Sequence, residues 1–171
     1  MNEELDTRKG IYDIIRKKPG IHFQGIKKQL DMATGTLEHH LNHLVERGVI
    51  TSKKDRYYKR YFPRDIDRKD KIILSSARQK NPRRISVYLL LHPRATHGEI
   101  MEELGIKPST LSFYLKELLS KGIVQKKKQG RESLYWLTDE ERVEKVFLIY
   151  RKSLLDDIVD TFVETWLDGF L

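Results

Sequence analysis

The feature of this sequence that most limits its fold is an internal repeat. When the chain is aligned with itself, matching residues recur 74 positions apart without a gap. The positions of the first copy that have the same residue 74 positions later include Pro19, Ile26, Leu30, Thr36, Leu37, Leu41, Leu44, Gly48, Lys53 and Lys54. The pair Tyr61-Phe62 corresponds in the same way to Tyr135-Trp136. We therefore predict two copies of one unit of roughly 60 residues.

Each copy shows the same order of local signals. Helical spacing of apolar residues predicts three helices, and two short runs separated by a polar turn predict a β-hairpin. The helices are predicted at residues 8–20, 23–30 and 34–48 in the first copy and at 82–94, 96–104 and 108–122 in the second, and the hairpins at 49–63 and 123–137. Gly48 and Gly122 are placed to end the third helices. This is the order of a winged helix-turn-helix.

Two further segments complete the predicted organisation. Residues 65–81 have helix-forming composition and end at Asn81-Pro82, which indicates a linker helix. Thr138 and Glu141 form a capping-box pattern, and no Pro or Gly follows until Gly169, which predicts a long C-terminal helix. The predicted fold class is mainly α with small β-hairpins (α+β). The domains are an N-terminal winged helix-turn-helix (1–64), a linker helix (65–81), a second winged helix-turn-helix (82–138) and a C-terminal helix (139–171).

The net charge of +8 and the pI near 9.5 favour a polyanionic partner. The charge is unevenly distributed along the chain. Residues 1–76 carry 17 basic and 11 acidic side chains, residues 77–137 carry 12 and 5, and residues 138–171 carry 4 and 9. The two copies are therefore strongly basic and the C-terminal segment is acidic. We expect the acidic segment to face away from nucleic acid.

Several classes of protein are disfavoured by the sequence. The chain has no cysteine, so it offers neither disulfides nor thiolate metal ligands. It has no apolar stretch of the kind that a signal peptide or a membrane span needs. A soluble, cytoplasmic protein without a membrane partner is the expectation. A Gly-rich phosphate loop, a zinc-protease motif and a nucleophile with an identifiable base are all missing, so we predict no enzymatic activity and no cofactor.

The stretch "LGIKPSTLSFYLKELLSKGIVQKKKQGRESLYWLT" resembles the winged-helix domains of ArsR and MarR regulators. The paired arrangement over residues 7–138 is similar to archaeal transcriptional regulators that carry two winged-helix units in one chain. This resemblance implies a transcriptional regulator that binds double-stranded DNA. Two alternatives stay open, namely a sequence-neutral protein of chromatin or RNA, and a winged-helix module that docks other proteins.

In that fold the third helix enters the major groove, where side chains near its amino end contact base edges. The predicted reading-helix residues are Thr36, His39, Asn42 and His43 in the first copy and Ser109, Thr110, Ser112, Phe113 and Lys116 in the second. Neither helix has an arginine near its start, which argues against tight discrimination between sequences.

The hairpins, or wings, concentrate basic residues at corresponding places of both copies. Such side chains on extended loops can contact phosphates or enter the minor groove. The predicted wing contacts are Lys53, Lys54, Arg56, Lys59 and Arg60 in the first copy and Lys126, Lys127, Lys128 and Arg131 in the second.

The segment "EHHLNH" raises the question of a metal site, because His39 and His43 are four residues apart on one helical face. The corresponding positions of the second copy are Phe113 and Glu117, so no chelating pattern is shared by the two copies. We therefore predict no metal site. His40 immediately precedes a core leucine and is predicted to be a packing residue.

Near the end of the chain, pairs of apolar residues recur every four positions. Such a wide apolar stripe on a helix requires a covering surface, which could be the second winged-helix domain, the same helix of another chain or a membrane. The acidic residues between the apolar pairs argue against an anionic membrane surface, and we predict that the stripe mediates a homodimer. The predicted dimerisation residues are Leu154, Leu155, Ile158, Val159, Phe162, Val163, Trp166, Leu167 and Phe170.

Overall fold

The structure is a computed structural model that describes residues 2–158. The chain divides into two compact units, with the boundary between Ser75 and Ser76. The elements of the first unit are α1 (Asn2–Lys17), β1 (Ile21–His22), α2 (Phe23–Leu30), α3 (Thr34–Glu46), β2 (Ile50–Asp55) and β3 (Tyr58–Pro63). Helix α4 (Arg68–Ala77) runs through the segment predicted as a linker helix and spans the boundary.

The second unit repeats this order. Its elements are α5 (Lys80–Leu91), β4 (Ala95–Thr96), α6 (His97–Leu104), α7 (Pro108–Ser120), β5 (Val124–Gln129), β6 (Glu132–Leu137) and α8 (Glu140–Ile149). From β1 to β3 every element has a counterpart 74 residues later with the same length. The strand register repeats as well, because Ile21 pairs with Tyr61 and Ala95 pairs with Tyr135. The predicted repeat and the predicted fold class are confirmed.

Each sheet has three strands, whereas the sequence predicted only a hairpin. The third strand is the two-residue segment β1 or β4, and the antiparallel strand orders are β1-β3-β2 and β4-β6-β5. Two residues are too few to show an alternation of apolar and polar side chains, so the pattern could not reveal this strand. It connects the first two helices of each unit to the base of the wing.

The core of the first unit is built on the apolar stripe of α3. Leu37 and Leu41 are fully buried and Leu44 is nearly so. They belong to a cluster that also contains Ile11, Ile15, Ile21, Ile26, Ile50 and Tyr61. Truncating one of these leucines to alanine would cost about 2–5 kcal/mol of unfolding free energy. In α7 the equivalent Leu111, Leu115 and Leu118 are buried in the same way.

The glycines at the ends of the third helices adopt the backbone conformation that the sequence predicts for them. Gly48 has φ +66° and Gly122 has φ +70°. Both lie in the left-handed region, which a residue with a Cβ adopts only with strain. The chain therefore leaves the helix and enters the first wing strand within a few residues.

His40 is a packing residue, as predicted. Its side chain is buried, and its Nδ1 atom has no hydrogen-bond partner. Burial lowers the pKa of His40 below the ordinary value of 6.5, and the positive charge of Arg8 acts in the same direction. The folded state therefore favours the neutral imidazole.

The C-terminal helical segment differs from its prediction at two points. Its first helix is capped by Asp139, whose Oδ1 accepts a hydrogen bond from the Arg142 N–H at 3.0 Å, so Thr138 is not the cap. The Thr138 N–H instead donates to the Ile123 carbonyl beside the sheet. The helix is then interrupted at Tyr150, and residues 151–158 form a separate helical stretch.

Side chains donate hydrogen bonds to carbonyl groups around this interruption. Arg151 Nη1 donates to the Leu148 carbonyl at 3.0 Å, and Ser153 Oγ donates to the Tyr150 carbonyl at 3.1 Å. No Pro or Gly marks this break in the sequence.

We expect the first unit to lose stability as the pH falls, because His40 has a lower pKa in the folded state than in the unfolded chain. Below about pH 6.5 the unfolded state takes up the proton first, so the stabilisation present at higher pH is progressively lost. His40→Tyr, which introduces the residue found at the equivalent position 114, should weaken this dependence. Urea denaturation at pH 8 and pH 5.5 measures it. Equal pH dependence in the two proteins would contradict the assignment.

Candidate nucleic-acid interface

The predicted reading-helix side chains lie opposite the buried stripes of their helices. On α3, Thr36, His39 and Asn42 are exposed and His43 is half-buried. On α7, Ser109, Ser112, Phe113 and Lys116 are exposed and Thr110 is half-buried. Each helix therefore presents a polar surface of side chains three to four residues apart, as a helix lying in a groove requires.

Neither reading helix has a side-chain cap at its amino end. The residue at the cap position is Ala33 for α3 and Lys107 for α7, and neither side chain makes a capping hydrogen bond. Neither cap residue therefore supplies an acceptor to the first N–H groups of its helix or a negative charge at the positive end of the helix dipole. Such ends can bind a phosphate group.

Two residues that the sequence did not single out contact the reading helices. Lys27 on α2 donates from Nζ to Thr34 Oγ1 at 2.8 Å, which adds a cation at the amino end of α3. His97 on α6 lies 3.0 Å from Ser112 Oγ through its Nε2 atom. Sequence spacing could not reveal these contacts, because each joins two helices across a turn.

The first wing presents Lys54, Arg56 and Lys59 to solvent, while Lys53 is half-buried. Lys54 and Lys59 are direct cross-strand partners. Two like charges in this position destabilise a sheet. A bound anion would reduce the repulsion between Lys54 and Lys59, so the wing is suited to contact an anion.

The tip of the first wing contains Arg56, which adopts φ +56°, where the second wing has Gly130 at φ +64°. The next residue, Tyr57, is 93% exposed. The sequence analysis did not include Tyr57 among the candidate contacts. An exposed aromatic ring at a basic wing tip can contact the sugar or base edges of a groove.

The prediction that Arg60 contacts phosphate is wrong. Arg60 is only 4% exposed, and its Nε atom donates to Asp55 Oδ2 at 2.9 Å. Its Nη1 atom donates to the Gly20 carbonyl, also at 2.9 Å. Arg60 joins the wing to the turn before β1 and is not available to DNA.

The second wing presents Lys126, Lys127, Lys128 and Arg131 to solvent. Successive residues of a strand point to opposite faces. Lys126 and Lys128 therefore share one face with their partners Tyr135 and Ser133, and Lys127 lies on the other face. The three lysines cannot all contact one phosphate strand from the same side of the wing.

The predicted dimerisation residues fall into three groups. Leu154 is buried, but it also lines an apolar groove of the second unit together with Leu155 and Ile158, so its assignment stays a prediction. Leu155 and Ile158 are exposed to 58% and 47%. The remaining predicted positions, Val159, Phe162, Val163, Trp166, Leu167 and Phe170, lie outside the described residues.

Two other kinds of site were sought in the described part of the chain. Within residues 2–158, no three His, Asp or Glu side chains come together as they would around a metal ion. None of the helices in this range has both the length and the hydropathy needed to cross a membrane.

Comparisons with known proteins agree with this architecture. Residues 5–74 match the model of a family described as an N-terminal helix-turn-helix domain. Residues 78–125 match a family described as a winged helix-turn-helix DNA-binding domain. The chain thus carries two helix-turn-helix domains in tandem, and the coarse form of the predicted resemblance is confirmed.

A relative from Methanocaldococcus jannaschii, described as an uncharacterized HTH-type transcriptional regulator, is 33% identical over 134 residues. The match covers 78% of this chain and 34% of the relative, so the chain spans about a third of the relative's length. The similarity to an archaeal regulator is confirmed to that extent. The assignment to the ArsR or MarR type stays a prediction.

Two solved structures show a weak similarity to this chain. The PcaV transcriptional regulator of Streptomyces coelicolor, in complex with its natural ligand, is 16% identical, covers 82% of this chain and 91% of its own, and has a TM-score of 0.40. The endosomal complex ESCRT-II is 18% identical, covers 81% of this chain and 63% of its own, and has a TM-score of 0.32. Both TM-scores are too low to support an argument about function.

The like-charged pair in the first wing gives a prediction in which stability and DNA affinity move in opposite directions. Replacing Lys59 by glutamate places an opposite charge across from Lys54, so the unfolding free energy should rise by roughly 0.2–1 kcal/mol. Affinity for duplex DNA should fall at the same time. Lys59→Gln is the matched control, with an intermediate effect on both quantities. Urea denaturation and fluorescence anisotropy measure them, and a parallel change in the two would contradict the assignment.

Proposed function

We propose that this chain is a DNA-binding transcriptional regulator, with the reading helix of each unit in the major groove and the wing on neighbouring phosphates. The observation that supports the proposal occurs in both units of the chain. Each unit presents a helix whose amino end lacks a side-chain cap, followed by a hairpin that displays several cations. The two helix-turn-helix family matches support the same function.

The electrostatic arrangement supports a polyphosphate partner. The opposed Lys54 and Lys59 repel each other in the free protein, and a phosphate between or beside them would relieve that repulsion. In the second wing, Lys126 and Lys128 share a face and point the same way. A basic surface of this kind also raises the rate of encounter with DNA.

The exposed side chains of the reading helices differ in what they can recognise. Ser109, Ser112 and Asn42 can exchange hydrogen bonds with base edges or phosphates. Phe113 is 47% exposed on the outer face of α7. An apolar ring there can contact the methyl group of thymine. We propose that Phe113 contributes to sequence preference more than any cation of the chain does.

Replacing Lys126, Lys127 and Lys128 together by alanine should weaken DNA binding and lower its salt dependence. Each lost phosphate contact reduces the slope of log affinity against log salt concentration by about 0.9, so the slope should change by roughly 3 if all three make contacts. A change nearer 2 would mean that the lysine on the opposite face makes no contact. Titrations of duplex DNA at several salt concentrations measure the slope.

The matched control replaces Lys9, Lys145 and Lys152, which are exposed residues outside both wings. It removes the same number of charges and should alter the slope far less. Equal effects of the two triple variants would contradict the wing assignment and leave only general electrostatic attraction. A promoter fragment and bulk DNA bound with equal affinity would instead favour the sequence-neutral alternative.

We further propose that the regulator is a homodimer formed through its second unit. This unit has an apolar groove of about 510 Å³, lined in part by Leu91, Leu155 and Ile158. The same unit also exposes Leu148 and Ile149. Apolar surface of this kind requires a partner surface. In a symmetric dimer, each copy would cover this groove of the other copy. The dimer would then present two pairs of reading helices to one duplex.

Leu155→Asp should raise the dissociation constant of the dimer by roughly a hundredfold or more, because two leucines leave the interface and two charges replace them. Leu5→Asp is the control, since Leu5 is similarly exposed at 63% but lies in the first unit. Sedimentation equilibrium of both variants and of the parent protein measures the effect. A monomeric parent at micromolar concentration, or an unaltered Leu155→Asp dimer, would refute the dimer proposal.

A further inference from the structure

The second unit has a basic surface cavity along its wing, separate from the reading helix. Its volume is about 480 Å³. It is lined by Arg94, Lys127, Lys128, Gln129, Leu134 and Trp136. These residues come from the turn before β4 and from both wing strands. This volume lies within the range of small-molecule sites.

The internal repeat provides a direct comparison with the first unit, where the equivalent place is filled by the protein itself. Arg60 lies there between the Asp55 carboxylate and the Gly20 carbonyl, and it is buried. In the second unit, Arg60 is replaced by Leu134 and Asp55 is replaced by Gln129, 74 positions later. The second copy has therefore lost the buried ion pair that closes this region in the first.

A third residue of this region also differs between the two units, because the second unit has Arg94 where the first has Gly20. Gly20 has φ +84°, a conformation natural to glycine, and Arg94 retains it at φ +66°. A side chain in this conformation is strained, and such residues occur preferentially at functional sites. Arg94 lines the cavity, and its guanidinium is 5.6 Å from the ring centroid of Trp136.

The lining has the chemistry of a site for an organic phosphate. Three of the six lining residues are cations, and none of the six is acidic. Leu134 and the half-buried Trp136 supply apolar surface beside them. Arginine binds phosphate through two parallel N–H groups and also stacks on flat rings. A ligand with both a phosphate and a flat ring would satisfy all of these groups together.

We propose that this cavity binds a nucleotide. Its phosphate would be held by Arg94 and by Lys127, which shares the face of Leu134, and its base would lie against Leu134 and the Arg94-Trp136 pair. The same chemistry is offered by a free nucleotide and by a nucleotide of a single strand. The site goes beyond the proposed DNA contact. Because it uses Lys127 of the second wing, its occupation would reduce the affinity of that wing for duplex DNA.

The test uses the full chain with Trp166→Phe, which leaves Trp136 as the only tryptophan. Adenosine monophosphate should change the Trp136 fluorescence saturably, and calorimetry should give the same dissociation constant. Inorganic phosphate and adenosine are separate probes, and each should bind about tenfold or more weakly, since each satisfies only one part of the lining. A short single-stranded oligonucleotide completes the set. Tighter binding of the oligonucleotide than of the mononucleotide would identify a nucleic-acid strand as the source.

Two variants remove the site without imposing strain on the fold. Arg94→Gly restores the residue that the first unit has in this turn, and the dissociation constant for adenosine monophosphate should rise by about tenfold or more. Arg94→Gly combined with Gln129→Asp and Leu134→Arg reproduces the residues that fill this region in the first unit. The combined variant should abolish binding. Circular dichroism checks that both variants fold.

The matched control is Arg131→Ala, which removes a charge from the same wing outside the cavity. It should reduce affinity for duplex DNA and leave nucleotide affinity unchanged. Unaltered nucleotide affinity in Arg94→Gly, equal binding of inorganic phosphate and nucleotide, or no binding by either method would overturn the proposal. Nucleotide binding in a protein that does not bind duplex DNA would overturn the proposed function and leave this site standing.

Discussion

The burial of one apolar stripe on each third helix is the interaction on which the rest of the structure depends. Leu37, Leu41 and Leu44 hold α3 against the first two helices and the small sheet. Because the stripe is buried, the opposite face of the helix must be exposed, and that face carries Thr36 and His39. The glycine that ends the helix then directs the chain into the wing. Core packing and the position of the candidate interface are thus consequences of the same leucines.

The two units show how one scaffold can support different chemistry. Their elements and strand registers coincide at an offset of 74 residues. Within the wing, however, the first unit uses a buried Arg60–Asp55 pair, which joins strand to strand, and Arg60 also joins the wing to the turn before β1. Removing one partner of such a pair would leave a buried charge without compensation, so both positions must change together. The second unit has Leu134 and Gln129 instead, and it exposes a basic cavity.

Much of the fold could be predicted from the sequence, because apolar periodicity and the repeat support each other. The third helices, their terminal glycines and both wings lie where the pattern placed them. Individual side chains were less predictable. Arg60 belongs to a run of basic residues, and nothing in that run distinguishes an internal ion pair from a phosphate contact. Leu154 likewise belongs to a regular apolar pattern, and only packing within the second unit separates it from the exposed Leu155.

By itself, the sequence determined the duplicated architecture, the buried helix faces and the concentration of cations on the wings, because these follow from periodicity and composition. Only the tertiary structure decided which cations are available. Strand pairing assigns Lys126 and Lys127 to opposite faces, and a carboxylate five residues away withdraws Arg60 from the surface. The physical reason is that exposure depends on neighbours that are distant along the chain, such as the Gly20 carbonyl that accepts from Arg60. Local patterns do not contain that information.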